Sequence, residues 1–229
     1  VGERQMGVSI IIPTLNEEKL LSIVLRHLRK YEVIVVDGGS KDKTVEIAKK
    51  FGVLVIVSNK NVSISRNIGS KLAHNEILIH LDADTILTED LVSEVEKIMQ
   101  DRRVSGGTFR LYPYDGSWYH ALFLTAAALV SKLFEKVPIS CIPRVSGSII
   151  FMRKSAFNSV GGYWETPVAE DQHMAKKLAL VGRFVVITKK VVPISARRWI
   201  KWGFFRAIGI MIINSWMAVM FDKTWLKNW

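Results

Sequence analysis

The stretch ILIHLDADT, residues 77–85, decides the fold. Ile77 to Leu81 is too continuously apolar for a strand with one wet face, so both faces should be covered, and the run ends on Asp82-Ala83-Asp84. Similar runs stand upstream: VSIII at 8–12, VIVVD at 33–37 and VLVIVS at 53–58. Helical patterns separate them, near 17–29, 43–51, 64–74 and 88–100, and Thr88-Glu89-Asp90 offers an N-cap with acids in the first turn. Strand alternating with helix predicts βαβ units, hence an α/β domain of Rossmann-like, doubly wound type: a mostly parallel sheet flanked by helices.

The strand ends carry the chemistry. Asp82 and Asp84 are two residues apart, and strand alternation puts them on one side of the chain. Two carboxylates held that close repel unless a cation sits between them. Hard ions such as magnesium or manganese take one or two protein carboxylates and complete their shell with phosphate and water. The bland alternative is a pair of solvated loop acids. After the first strand comes Pro13-Thr14-Leu15-Asn16-Glu17-Glu18, and after the second Asp37-Gly38-Gly39-Ser40, an acid ahead of glycines that let a ligand approach the backbone. Neither GxGxxG nor a P-loop is present, which argues against a dinucleotide cofactor.

The second half differs in charge and texture. The chain has 229 residues and a net charge of +11, but residues 1–100 are at −1 and residues 101–229 at +12. Five of seven tryptophans fall in the last 31 residues, among Arg197, Arg198, Lys201, Arg206, Lys223 and Lys227. Two apolar helices are expected, one over 118–136 and one over 207–221. Tryptophan and basic residues flanking apolar sequence suit a membrane interface better than a nucleic-acid face, and the helices are read as lying in or shallowly crossing the bilayer surface. Gly106-Gly107 should precede a strand to Arg110, and SGSIIFMR (146–153) and RFVVIT (183–188) read as further strands. The single cysteine, Cys141, excludes internal disulfides and a cysteine zinc cluster. The expected organisation is 1–104 as a nucleotide-binding half, 105–196 as an acceptor-side half, and 197–229 as a membrane-associated tail.

VSIIIPTLNEE, VIVVDGGSKDKT, SRNIGSKLA, ILIHLDADT and GGYWETPVAEDQHMAKKL, in this order and spacing, resemble glycosyltransferase family 2 with the GT-A fold. The resemblance covers roughly residues 7–190. It implies that Thr14, Leu15, Glu17 and Asp37 hold the base and ribose of a nucleotide sugar, and that Arg66 lies in the stretch approaching the diphosphate. Asp82 would stand by ribose and metal, Asp84 would ligate a divalent Mn or Mg ion, and Glu170-Asp171 would be the acceptor-side acids, with Asp171 as catalytic base. Asp171 opens a helix to about residue 180, whose dipole favours ionised acids, so both are expected charged. Ser195-Ala196-Arg197-Arg198-Trp199 partly resembles the Gln-x-x-Arg-Trp signature of cellulose-synthase-like enzymes, with Ser195 in the Gln position. Carried over, Arg198 would meet the diphosphate and Trp199 would border the acceptor. An interfacial Arg/Trp anchor is the equal alternative. Dolichyl-phosphate-mannose-synthase-like enzymes often carry a polar residue where this chain has Ile86, which leaves the third metal ligand open.

The expectation is a metal-dependent, inverting transferase at the cytoplasmic face of a membrane, taking mannose from GDP-mannose to a polyprenyl (dolichyl) phosphate or a lipid-linked sugar, with no nucleic-acid partner. A phosphate acceptor needs no general base, so Asp171 tilts the choice towards a hydroxyl. A nucleotidyltransferase and a non-catalytic basic membrane-binding module are the alternatives. His80, inside an apolar strand, reads as a satisfied core residue, and His173 as lying along its helix.

Overall fold

The computed structural model describes residues 7–133, 147–165, 170–209 and 213. The first half runs β1 (Val8–Thr14), α1 (Leu21–Arg26), β2 (Glu32–Asp37), α2 (Thr44–Lys50), β3 (Leu54–Val57), α3 (Val62–Leu72), β4 (Ile77–Leu81) and α4 (Glu89–Met99). The second runs β5 (Val104–Pro113), α5 (Trp118–Leu133), β6 (Ile149–Arg153), α6 (Lys154–Ser159), α7 (Glu170–Val181), β7 (Arg183–Ile194) and α8 (Arg197–Trp202).

One seven-stranded sheet, in the order β3-β2-β1-β4-β6-β5-β7, passes through both halves. Pairing is parallel except where β6 lies antiparallel between β4 and β5. Successive residues serve opposite layers. Ile10, Ile12, Val33, Val35 and Ile79 pack with α1 and α4, whereas Ile11, Ile34, Val36 and Leu78 pack with α7. This alternation is why the runs had to be continuously apolar. Gly69 lets α3 close on the sheet, since a Cβ there would stand 2.4 Å from the Ile11 side chain.

Several expectations change. β3 is an edge strand and its flanking Leu54 and Val57 are exposed, so it is not covered on both faces. Thr88 stands at the N-cap of α4 without a side-chain hydrogen bond. Gly106 and Gly107 lie inside β5 rather than ahead of it, because a Cβ on Gly107 would meet the Val185 carbonyl at 2.4 Å. β7 runs to Ile194, six residues beyond the expected end, pairing with β5 through a register shift between Phe109 and Arg110. The helix expected over 118–136 is described to Leu133 and packs on β5 and β7. Beyond Gly209, the second apolar helix lies almost wholly outside the described residues. No helix among the described residues is long and apolar enough to cross a membrane.

The chain order reverses at the β1/β4 pair, since β2 and β3 lie on one side of β1 and β4 on the other. Open α/β sheets bind ligands outside the carboxyl ends of strands at such a switch point. Glu17 follows β1 and Asp82-Ala83-Asp84 follows β4, so the topology brings them to one crevice.

Candidate active site

The loops after β1 and β2 are laced together. Asn16 and Glu17 donate backbone N–H groups to Ser40 Oγ and Thr44 Oγ1, at 2.8 and 2.7 Å, and Lys41 N–H donates back to Asn16 Oδ1 at 2.9 Å. Asp37 holds this turn from below. Its Oδ1 accepts from the N–H groups of Gly39 and Ser40, and its Oδ2 from the hydroxyls of Thr14 and Ser40, at 2.6–2.9 Å. Four hydrogen bonds fill a carboxylate's acceptor sites. Asp37 is fully buried and Thr14 nearly so, and both build the turn against which a base and ribose are expected to lie. Leu15 stays exposed on the rim. Glu17 is different, for among the described residues its buried Oε2 finds no hydrogen-bond donor.

Asp82 and Asp84 are fixed by the backbone around them. Asp82 N–H donates to Ser148 O (2.9 Å), Ile86 N–H to Pro193 O (2.9 Å), and Ser195 N–H to Asp84 O (3.2 Å). The last two bonds pin the loop after β4 against the end of β7. Residues 84 and 195–197, far apart in sequence, thereby share one site.

Arg66 is 2% exposed. A guanidinium buried so deeply must be paired. Its Nη1 donates to Glu170 Oε1 (2.7 Å), its Nη2 to Asp82 Oδ1 (2.9 Å) and Gly147 O (3.3 Å), and its plane lies 5.5 Å from the Tyr163 ring. Arg66 therefore ties α3, the end of β4 and the start of α7 together. Both terminal nitrogens are thus engaged behind the carboxylates, while its buried Nε finds no hydrogen-bond partner among the described residues. Asn67 completes the clamp, giving its side-chain N–H to Tyr163 O and accepting Tyr163 N–H at 2.9 and 2.8 Å. Gly162, at φ 71°, makes this fit, as a Cβ there would stand 2.7 Å from Asn67 Oδ1.

A directed chain backs this knot. Ser70 Oγ spends its one proton on Arg66 O (2.8 Å), so the 2.7 Å contact to His80 Nε2 requires Nε2–H as donor. His80 Nδ1 is then bare and accepts from the Tyr163 hydroxyl at 2.8 Å. Burial, with the Arg66 cation nearby, pushes the His80 pKa well below its usual range, consistent with a neutral ring. The core assignment for His80 holds, and His173, also buried, lies against the Trp164 ring at 4.8 Å.

Asp171 lies beside Glu170 in the first turn of α7, with its carboxylate against Gly147. Loss of solvation and the neighbouring Glu170 push its pKa up to about 7, against the pull of Arg66 and a hydrogen bond to the Gln172 backbone. The expectation of a fully ionised Asp171 fails here because desolvation outweighs the helix terminus. A carboxylate poised near neutrality suits proton abstraction.

The residue that reaches Asp84 from the 195–199 segment is Arg197. Its Nη2 pairs with Glu17 Oε1 and lies 3.4 Å from Asp84 Oδ2. The side chain of Arg198 lies outside the described residues. Trp199 is buried, its ring stacked at 5.6 Å on His120 and edge-on to Phe123. Asp115 accepts from Ser195 Oγ at 2.6 Å and from Ala196 N–H, and so fixes the entry to α8. Arg197 and Asp115 are the residues that sequence reasoning missed. No group of three His, Cys, Asp or Glu among the described residues could hold a metal ion. The donor set still fits a hard divalent cation: Asp82 and Asp84 offer carboxylate oxygens that a diphosphate and water would supplement. A cavity of about 630 Å³ lined by Leu25, Tyr31, Glu32, Lys50 and Phe51 lies at the opposite, amino end of β2.

Residues 9–161 match the family described as "Glycosyl transferase family 2". An uncharacterized protein of Methanocaldococcus jannaschii is 36% identical over 69% of this chain and 60% of its own length. A dolichol-phosphate mannosyltransferase of Pyrococcus furiosus is 29% identical over 56% of this chain and 41% of its own. Among solved structures, the mannosyltransferase PcManGT of Pyrobaculum calidifontis, in complex with GDP-Man and Mn2+, superposes with a TM-score of 0.74 at 20% identity, covering 96% of this chain and 65% of that one. The chain spans a third to two thirds of the length of the curated relatives it matches first.

Proposed function

The chain belongs to glycosyl transferase family 2, and from that premise we propose that it transfers a sugar, with inversion, from a nucleotide diphosphate sugar to a polyprenyl-linked acceptor at the cytoplasmic face of a membrane. The observation that carries the proposal is the meeting of Glu17, Asp82 and Asp84 at the switch point of the sheet, with Asp171 across the Arg66 knot. Residues 1–104 serve the donor, residues 105–196 the acceptor, and residues 197–229 the membrane.

Glu17, with a free buried acceptor, binds a donor group of the nucleotide, and Leu15 covers it from the rim. A divalent cation, Mn or Mg, held by Asp84 and Asp82 would offset the charge developing on the leaving diphosphate. Asp171 takes the proton from an acceptor hydroxyl as that oxygen attacks the anomeric carbon from the face opposite the diphosphate. A base is superfluous for a phosphate acceptor, so Asp171 favours the hydroxyl of a lipid-linked sugar. GDP-mannose as donor is supported by the GDP-Man bound in the Pyrobaculum structure, and mannose as the sugar by the name of the Pyrococcus protein. Membrane association is supported by Trp118, Leu122, Leu129 and Leu133 exposed on α5, with Phe205 and the basic Lys201 and Arg206 exposed in the segment after β7.

Calorimetric titration of the detergent-solubilised chain with UDP and GDP, each with and without manganese, tests the proposal. Binding of GDP only with metal is expected. Binding of neither diphosphate would overturn it and put the non-catalytic membrane-binding module first.

A further inference from the structure

Glu17 and Asp84 approach one crevice from the ends of different strands, and one guanidinium spans them. Their side chains are 16% and 11% exposed, and two carboxylates so poorly solvated need a positive charge between them. Arg197 supplies that charge from a side chain that is itself 41% exposed. Its reach is set from behind: Asp115 grips Ser195 and Ala196, and Ser195 N–H is bonded to Asp84 O. The pairing with Asp84, at 3.4 Å, is loose, while Glu17 Oε2 remains without a donor. A guanidinium presents the same planar donor fork to a carboxylate and to a phosphate, so it can exchange one for the other.

We propose that Arg197, braced on Glu17, holds the place of the divalent cation's positive charge at Asp84 until a nucleotide diphosphate arrives, and then turns its guanidinium to the diphosphate oxygens. The inference rests on the reading of Asp84 as a metal ligand. It makes cation and nucleotide binding mutually dependent. A cation alone must displace Arg197 with nothing to receive it, whereas a cation arriving with a diphosphate offers the guanidinium a new anionic partner. Asp115 is on this account a positioning residue, which acts by aiming Arg197.

The test titrates the full chain with MnCl2 alone, and with GDP in the presence of manganese, for the unchanged protein and for Arg197→Met, Arg197→Lys and Asp84→Asn. Arg197→Met should bind Mn2+ alone about two- to fivefold more tightly, the range expected for losing one partly exposed competing ion pair. The same variant should bind GDP about tenfold or more weakly, as expected for a lost charge-assisted hydrogen bond. Arg197→Lys, which keeps a cation, should restore the weak affinity for Mn2+ alone. If Arg197→Met leaves Mn2+ affinity unchanged or weaker, the place-holding role is overturned while the metal reading survives. If Asp84→Asn binds Mn2+ and GDP like the unchanged protein, the metal reading falls and takes this inference with it. Thermal melting of each variant guards against misfolding, and Arg197→Met should melt within a degree or two of the parent.

Discussion

Arg66 and Arg197 each hold two carboxylates at the carboxyl edge of the same sheet, under opposite conditions. Arg66 is 2% exposed, donates to Glu170, Asp82 and a backbone carbonyl, and faces the Tyr163 ring. Arg197 is 41% exposed and holds Glu17 closely but Asp84 only at 3.4 Å. Burial turns the same pairing from an exchangeable contact into part of the framework, since no water waits to take over the partners Arg66 would leave. The largest expected effect in the molecule follows. Arg66→Met should cost about 3–5 kcal/mol of stability, the range for stranding a partner of a buried ion pair, and chemical denaturation would measure it. A loss no greater than that of Arg197→Met would erase the contrast.

Asp171 sharpens the same comparison from the acidic side. Asp171→Asn should leave nucleotide affinity intact and lower turnover about 100-fold, within the range for a lost general base. Normal turnover would remove Asp171 from the chemistry. The pH profile follows from its pKa of about 7 against an ordinary 3.8. The base works ionised, so turnover should climb as pH rises through about 7. For stability the sign is reversed. Between the unfolded and folded pKa values the native state holds the proton more firmly than the unfolded chain, so stability falls as pH rises through this window. Asp171→Asn abolishes that fall, and should raise the melting temperature by a few degrees at pH 8 while changing it little at pH 4. Melting curves that shift equally at both pH values would contradict the desolvated carboxyl.

How far these features could be read from sequence depended on whether their causes were local. β1, β2 and β4 were legible because burial on two faces leaves a continuous apolar run, and Asp82-Ala83-Asp84 was legible because it terminates one. β3 looked identical in sequence, but its position at the sheet edge is a property of strand order. Asp37 was correctly placed, but an acid before two glycines serves a ligand or its own turn equally well, and the four donors that tie it to its turn are visible only in the fold. Arg197 lay beyond local reasoning. Its arrival beside Asp84 depends on β7 continuing six residues past its apolar run, on the register shift against β5, and on the grip of Asp115. Asp171 was found as an acid at a helix start, yet its neutral tendency arises from the Gly147 turn and Glu170 crowding it, which no dipole argument foresees.

The smallest expected effect probes the layer behind Arg66. Tyr163→Phe keeps the ring under the guanidinium and removes only the hydroxyl that fills His80 Nδ1. It should cost about 1–3 kcal/mol, the penalty for leaving one buried acceptor unsatisfied, and so less than loss of Arg66 itself. The stronger check is spectroscopic, because the direction of the chain from Tyr163 to Arg66 O requires the proton on His80 Nε2. Nitrogen shifts of the imidazole should report that tautomer, unchanged from pH 8 down to pH 5, with Tyr163→Phe moving the Nδ1 resonance and leaving the Nε2 proton in place. A second proton gained near pH 6.5 would mean that Tyr163 does not donate to Nδ1, and a single proton carried on Nδ1 would mean that Ser70 does not donate to the Arg66 carbonyl. The clamp on Arg66 would then end at Tyr163 instead of running through His80 and Ser70 back into α3.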